Sequence, residues 1–220
     1  MPAARHRATA APTRERIVTQ AERLIAAKGV YGFTLRDIAA PLGVQVPAIY
    51  KHYKSRDDVL IEVSRRYIGQ LATQFAPRPG LAPAAALRSA LKDFVDLMML
   101  NPAYARLALV DFATPGGGME YVKLAAGGSF QDNFMGGPLA AMHRRLQALL
   151  ADGIRAGAFR RVAATDLYRL VKAALLIRLV FPDDAPLARR PSAAEVRAAQ
   201  RWLWDIASRY LAPDARRAVR

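Results

Sequence analysis

The chain has 220 residues, 53% of them hydrophobic and none of them cysteine, which excludes disulfide scaffolds and thiolate metal sites and offers no argument for export. Thirty-three Lys and Arg against 18 Asp and Glu give a formal net charge of +15, a balance suited to a polyanionic partner. The excess is spread out: residues 1–79 hold 13 basic and 6 acidic side chains, so more than half of it lies beyond them, and part of it reflects an Arg- and Ala-rich composition.

Residues 1–12, with Pro2, Pro12, Arg5, His6 and Arg7 among alanines, read as a disordered basic arm, either a frayed terminus or an extra contact to phosphates or a minor groove. It has no apolar run after its basic residues, so it is not read as a signal peptide. Thr13 is expected to cap a first helix with Glu15 near its positive end. Ile17, Ala21, Leu24 and Ile25 share one face of it, and Gly29 ends it. Tyr31 and Phe33 are expected to pack beneath the next segment.

Residues 34–53 read as two short helices joined by a tight turn. Thr34 and Asp37 have capping-box spacing, and Ile38 and Ala39 supply an apolar face. Gly43 can turn the backbone sharply, with Leu42 and Val44 filling the angle. Pro47 fits the first turn of the second helix. Ala48 and Ile49 then face inward, and Gln45, Val46, Tyr50, Lys51 and His52 face out. The pattern fits a helix-turn-helix, whose second helix enters the DNA major groove, and it equally fits an ordinary helical hairpin in a core.

The flanks favour the first. Thr13-Arg-Glu-Arg-Ile17, Ala21-Glu-Arg-Leu24, Lys28-Gly29 and Phe33-Thr34 lead into the motif, and Tyr50-Lys-His-Tyr53, Lys54-Ser55 and Asp58-Val-Leu60 leave it. In this order, over roughly the first 60 residues, the chain resembles the N-terminal domain of the tetracycline-repressor (TetR) family of transcriptional regulators. It departs from the family at Pro41, where a helix former is usual, and at Gln45, where Ser or Thr is usual. Pro41 predicts an early end to the first helix of the motif. Gln45 removes a phosphate-binding hydroxyl and offers a base an amide instead.

After the motif, Ser55 and Asp58 open a helix expected to run to about Phe75, with Val59, Leu60, Val63, Tyr67 and Leu71 as its buried stripe. Residues 76–83, with three prolines and a glycine, read as a linker. Beyond it, helices are expected from about 84 to 101, from 103 to 113, from Pro138 to 156, from a Thr165 cap to Phe181, and from a Ser192–Glu195 box onward. A loop-rich stretch lies over 114–137 and a second linker over 182–191. The most apolar stretch, 167–181, is interrupted by Arg169, Lys172 and Arg178 and is too short to span a bilayer comfortably, so a cytoplasmic chain without membrane association is expected.

The expected fold is all-α: an N-terminal three-helix helix-turn-helix domain (residues 13–54), a connecting helix (55–76), and a C-terminal helical domain (77–220) for ligand binding and dimerisation. Near base edges we expect Gln45, Val46, Pro47, Tyr50 and His52; nearer phosphates, Thr34, Lys51, Tyr53 and Lys54, with Lys54 readable also as a plain surface lysine. Phe94, Met98, Tyr104, Phe112, Phe130, Phe134 and Met142, with Met119, Tyr121 and Met135, either line an adaptable pocket or form ordinary core. Asp111 and His143 are its polar candidates, each fitting a wet surface position equally well. Val196, Ala199, Leu203, Ile206 and Tyr210 recur at 3-4-3-4 spacing with Trp202 beside them. With Leu175 and Arg178 of the preceding helix they suggest a four-helix homodimer interface, the alternative being burial in the monomer.

The resemblance implies a repressor that binds double-stranded DNA as a homodimer and is released by a small effector. No G-x-S-x-G, H-E-x-x-H, P-loop or G-x-G-x-x-G occurs, and His6, His52 and His143 lie on separate elements, so neither an enzyme, a cofactor nor a metal is expected. The competing readings are a helical enzyme or carrier with an incidental motif, and a nonspecific basic DNA-binding protein.

Overall fold

In the computed structural model the described residues are 13–112, 137, 139–180 and 190–213. They form helices only: α1 (Thr13–Lys28), α2 (Leu35–Leu42), α3 (Val46–Tyr50), α4 (Arg56–Ala72), α5 (Pro83–Leu100), α6 (Pro102–Phe112), α7 (Ala140–Arg155), α8 (Ala164–Val180) and α9 (Ala193–Leu211). The expected basic arm, the glycine-rich stretch up to 136 and the second linker up to 189 lie outside the described residues. Among the described residues no helix is long and apolar enough to cross a membrane.

Local chemistry sets three of the helix starts among the described residues. Thr34, Ser55 and Ser192 each accept a hydrogen bond from the backbone N–H three residues on, and the Asp37, Asp58 and Glu195 carboxylates accept from the cap residue's own N–H. Each reciprocal box satisfies donors that a helix start otherwise leaves open. Two caps differ from expectation: Thr13 is already the first helical residue, and α8 begins at Ala164, so Thr165 lies inside its first turn.

Pro41 does not end α2 early. The helix runs one residue past it, because Gly43 (φ 66°) sends its N–H back to the Ala39 and Ala40 carbonyls while the Val44 N–H bonds Ala39 at 3.2 Å. This left-handed close satisfies the terminal carbonyls, which outweighs the bond that proline cannot donate. α4 stops at Ala72, short of the expected Phe75; the chain turns there, and Phe75 itself takes φ 56° with its ring buried.

α1, α2 and α4 pack together at the N-terminal end, with α3 against α2. α5 packs on α6, α7 and α9, and α8 fills in against α6, α7 and α9. The linker over 76–82 does not divide the core. α6 packs on α1 and α4, and α7 packs on α4, so one continuous hydrophobic cluster runs from Ile17 to Leu211. At this crossing Tyr67 of α4 stacks on Tyr104 of α6 (ring centroids 5.0 Å apart), and its hydroxyl donates to Met98 Sδ at 3.4 Å. The Tyr104 hydroxyl donates to Glu22 Oε1 of α1 and accepts from Gln70 Nε2, each at 3.2 Å. Burial and the Glu22 carboxylate push the Tyr104 phenol far above its usual range.

α9 is turned differently from the expected heptad. Its buried stripe is Val196, Ala199, Leu203, Ala207 and Leu211, facing α5 and α8. Val196, Ala199 and Leu203, and Leu175 of α8, are therefore core residues of the chain rather than an outer seam; Leu203 and Leu175 are fully buried. Ile206 and Tyr210 are only half-buried, as is Trp202, whose ring lies 5.0 Å beneath the Arg178 guanidinium. Ile177 beside Arg178 is 58% exposed.

Candidate nucleic-acid interface

The surface presented by α3 follows from how little of it is needed inside. Ile49 is fully buried and pins the five-residue helix, and Val46, Leu42 and Val44 pack partly into the core around the turn. Gln45 precedes α3 in extended backbone (φ −83°, ψ 149°) and makes no side-chain cap, so its amide stays exposed. Pro47, Tyr50 (56% exposed), Lys51, His52 and Lys54 are exposed on the same segment. The result is one outward strip of amide, ring and cation on a helix held from below.

Three residues sit differently from the sequence reading. Val46 is half-buried rather than outside. Tyr31, expected beneath the motif, is 62% exposed, with the Arg56 guanidinium 5.6 Å from its ring centre. Tyr53 is 3% exposed, so its ring belongs to the core and not to the outer strip. Its hydroxyl accepts from Arg14 Nε at 3.2 Å, and the Arg14 guanidinium lies 5.2 Å from the ring centre. Burial raises the Tyr53 phenol, opposed by the arginine, while the hydrogen bond to Tyr53 raises Arg14.

Thr34 is exposed, but its hydroxyl is engaged, donating to Asp37 Oδ2 at 2.6 Å. Lys28 of α1 bonds the other Asp37 oxygen at 2.8 Å. Bonds from Lys28, then Thr34, hold the Asp37 carboxyl well below the usual carboxylate range, and they fix α2 against the end of α1. Arg36, on the first turn of α2, is an exposed cation that the sequence reading passed over; its place two residues after the Thr34 cap was the available signal.

Residues 17–63, which contain the whole motif, match the family described as bacterial regulatory proteins, tetR family. Those residues therefore carry the sequence pattern of that family's N-terminal domain. A 56-residue stretch is 38% identical to the uncharacterized HTH-type transcriptional regulator YerO of Bacillus subtilis (strain 168); it covers 26% of this chain and 19% of that protein, so the chain spans about a fifth of the curated relative it matches. Over nearly the whole chain the tetR-type fold recurs in solved structures. One is a tetR-family regulatory protein from Rhodococcus RHA1 (TM-score 0.66, 20% identity, 93% of this chain and 99% of that one). Another is the ketosteroid transcriptional regulator KstR2 of Mycobacterium tuberculosis (TM-score 0.61, 17% identity, 92% and 96%). A third is the tetR-family regulator PfmR of Thermus thermophilus (TM-score 0.60, 22% identity, 88% and 97%). Below 25% identity these likenesses concern the fold alone.

In this tetR-type body the candidate effector residues are packed rather than open. Phe94 lies against Phe75 and Tyr168, with centroids 6.5 and 6.1 Å away, and Met98, Met142 and Tyr104 are buried in the same cluster. Tyr104 is committed to Glu22 and Gln70 at the crossing between the two ends of the chain. The side chains of Asp111, Phe112, Phe130 and Phe134, like Met119, Tyr121 and Met135, lie outside the described residues. Among the described residues no group of three or more His, Asp and Glu is arranged to hold a metal.

His143 of α7 is 4% exposed, and burial lowers its imidazole pKa below the ordinary 6.5. The unfolded chain then takes up this proton at a higher pH than the folded one. The stability this group contributes is present above pH 6.5 and is lost as pH falls through the folded value. Thermal melts should show the midpoint dropping between neutral and mildly acidic pH, with a shallower drop in His143→Gln. Equal slopes in both proteins would remove His143 from the account.

Proposed function

We propose that this chain is a tetR-type transcriptional repressor that binds a palindromic DNA site as a homodimer and leaves it when a small effector enters the C-terminal helices. The observation that carries the reading is the outward strip of Gln45, Pro47, Tyr50, Lys51, His52 and Lys54, on a motif within the segment that matches the family. Gln45 and Tyr50 approach base edges, and Lys51 and Lys54 approach phosphates. Arg36 joins the phosphate contacts. Thr34 serves chiefly as the cap that aims α2.

The dimer seam is narrower than the heptad suggested. Ile177, Arg178, Trp202, Ile206 and Tyr210 remain at the surface of α8 and α9 once the buried stripe is subtracted, which supports pairing of these two helices with their counterparts. An effector would act through the crossing where α4 and α6 meet α1, by shifting the two reading heads away from one-turn spacing. Division of labour between residues 13–54, the connecting α4 and the helices beyond 77 is part of the same proposal.

An electrophoretic shift on DNA upstream of the chain's own reading frame, in excess random DNA, tests it. The expected result is a retained complex with a discrete two-half-site footprint. Loss of the complex to competitor points to nonspecific binding. A single unpaired half-site removes the dimer.

A further inference from the structure

We propose that the groove between α5 and α9 binds a small polyphosphate anion, at a site separate from both the DNA-reading strip and the packed interior. The groove has a volume of about 460 Å³ and is lined by Arg88, Ser89 and Lys92 of α5 and by Arg197, Gln200 and Arg201 of α9. That volume falls in the range of small-molecule sites and is far too small for a duplex.

Its charge is largely unanswered. Arg88 and Lys92 stand one helical turn apart on α5, as Arg197 and Arg201 do on α9. Like charges at this spacing weaken a helix unless a counter-ion intervenes. Asp96, one turn along α5 from Lys92, is taken up by Lys92 at 3.0 Å and by the Gln200 amide at 2.5 Å. Among the described residues Arg88, Arg197 and Arg201 make no ion pair, and Arg88 rests 5.9 Å from the Trp204 ring centre. Ser89 Oγ accepts from Arg78 Nε at 3.0 Å, which leaves its proton for a ligand oxygen.

Guanidinium groups bind phosphate oxygens in a two-pronged fashion, and two pairs facing each other across a groove suit linked phosphates better than one. The α9 side of the groove is anchored by packing. Val196, Ala199 and Leu203 bury the neighbouring face of α9 against the core, so the cations hang on a fixed frame. On α9, at 100° per residue, Arg197 and Arg201 fall nearly opposite Ile206. The groove therefore stays open when the α8–α9 seam is occupied.

The test uses the full chain and inorganic pyrophosphate at low salt, followed by calorimetry and by the emission of Trp202 and Trp204. Saturable binding of one pyrophosphate per chain is expected, weaker for orthophosphate and unchanged in Lys54→Ala. Arg197→Ala/Arg201→Ala should weaken it at least about tenfold, with circular dichroism and melting unaltered. Should the double variant fail to fold, Arg201→Gln alone is expected to weaken binding as well. The proposal is overturned by full affinity in a folded variant, by no saturation in the unaltered protein, or by binding to phosphatidic-acid vesicles without any response to pyrophosphate.

Discussion

Replacing Gly32 with alanine is expected to cost about 3 kcal/mol of stability and to lower the melting temperature by roughly 10 °C. A Cβ at position 32 would lie 2.1 Å from the Lys28 carbonyl oxygen and 2.9 Å from its carbon, both backbone atoms that cannot swing aside. That carbonyl belongs to the last turn of α1, whose end is closed by Gly29 bonding Ile25 O at 2.9 Å. Relief requires the turn to open, which lifts Val30 and Phe33, each 3% exposed, out of the core. It also tilts α2 and α3 away from α1, so DNA affinity should fall with stability. Gly43→Ala is the control. It has open space around the new methyl and only its positive φ to strain, a cost of about 1–2 kcal/mol. Differential scanning calorimetry ranks the two, and an unchanged midpoint for Gly32→Ala would show that the turn yields freely.

The second large effect is on reading. Gln45→Ala should cost about 1–3 kcal/mol on the preferred site and almost nothing on random DNA, because an amide that pairs with a base edge discriminates while it binds. Lys54→Ala should weaken both kinds of DNA alike and reduce the slope of log affinity against log salt by about one. Fluorescence anisotropy at several salt concentrations separates these signatures. If Lys54→Ala alters sequence preference while Gln45→Ala does not, the two roles must be exchanged.

What could be read from residue order was whatever depends on near neighbours. The boxes Thr34–Asp37, Ser55–Asp58 and Ser192–Glu195, the left-handed Gly43 and the anchor Ile49 are matters of spacing, and they recur in the structure. Contests between neighbours were harder to read. Pro41 is a helix breaker on propensity, yet the cap two residues later carries the helix past it. Burial by distant parts of the chain was not legible. The 3-4-3-4 repeat in α9 identifies an apolar side without saying what covers it, and the continuation through Ala207 and Leu211 rather than Ile206 and Tyr210 turns that side onto α5. Tyr53 and Tyr31 traded places for the same reason. The first has Arg14 of α1 beside it at a separation of 39 residues, and the second is left in solvent over Arg56.

The seam between α1 and α6 has a practical consequence for anyone recombining such proteins. Tyr104 reaches from the body to Glu22 in the head, and Arg66 reaches from α4 to Glu22 and Thr19 at 3.5 and 3.3 Å. A chimaera that grafts a foreign head onto this body inherits the phenol and loses its acceptor unless a carboxylate is supplied at position 22. Portability of the N-terminal helices is thus limited by a matched pair of side chains, and head and body must be exchanged, or redesigned, with that pair intact.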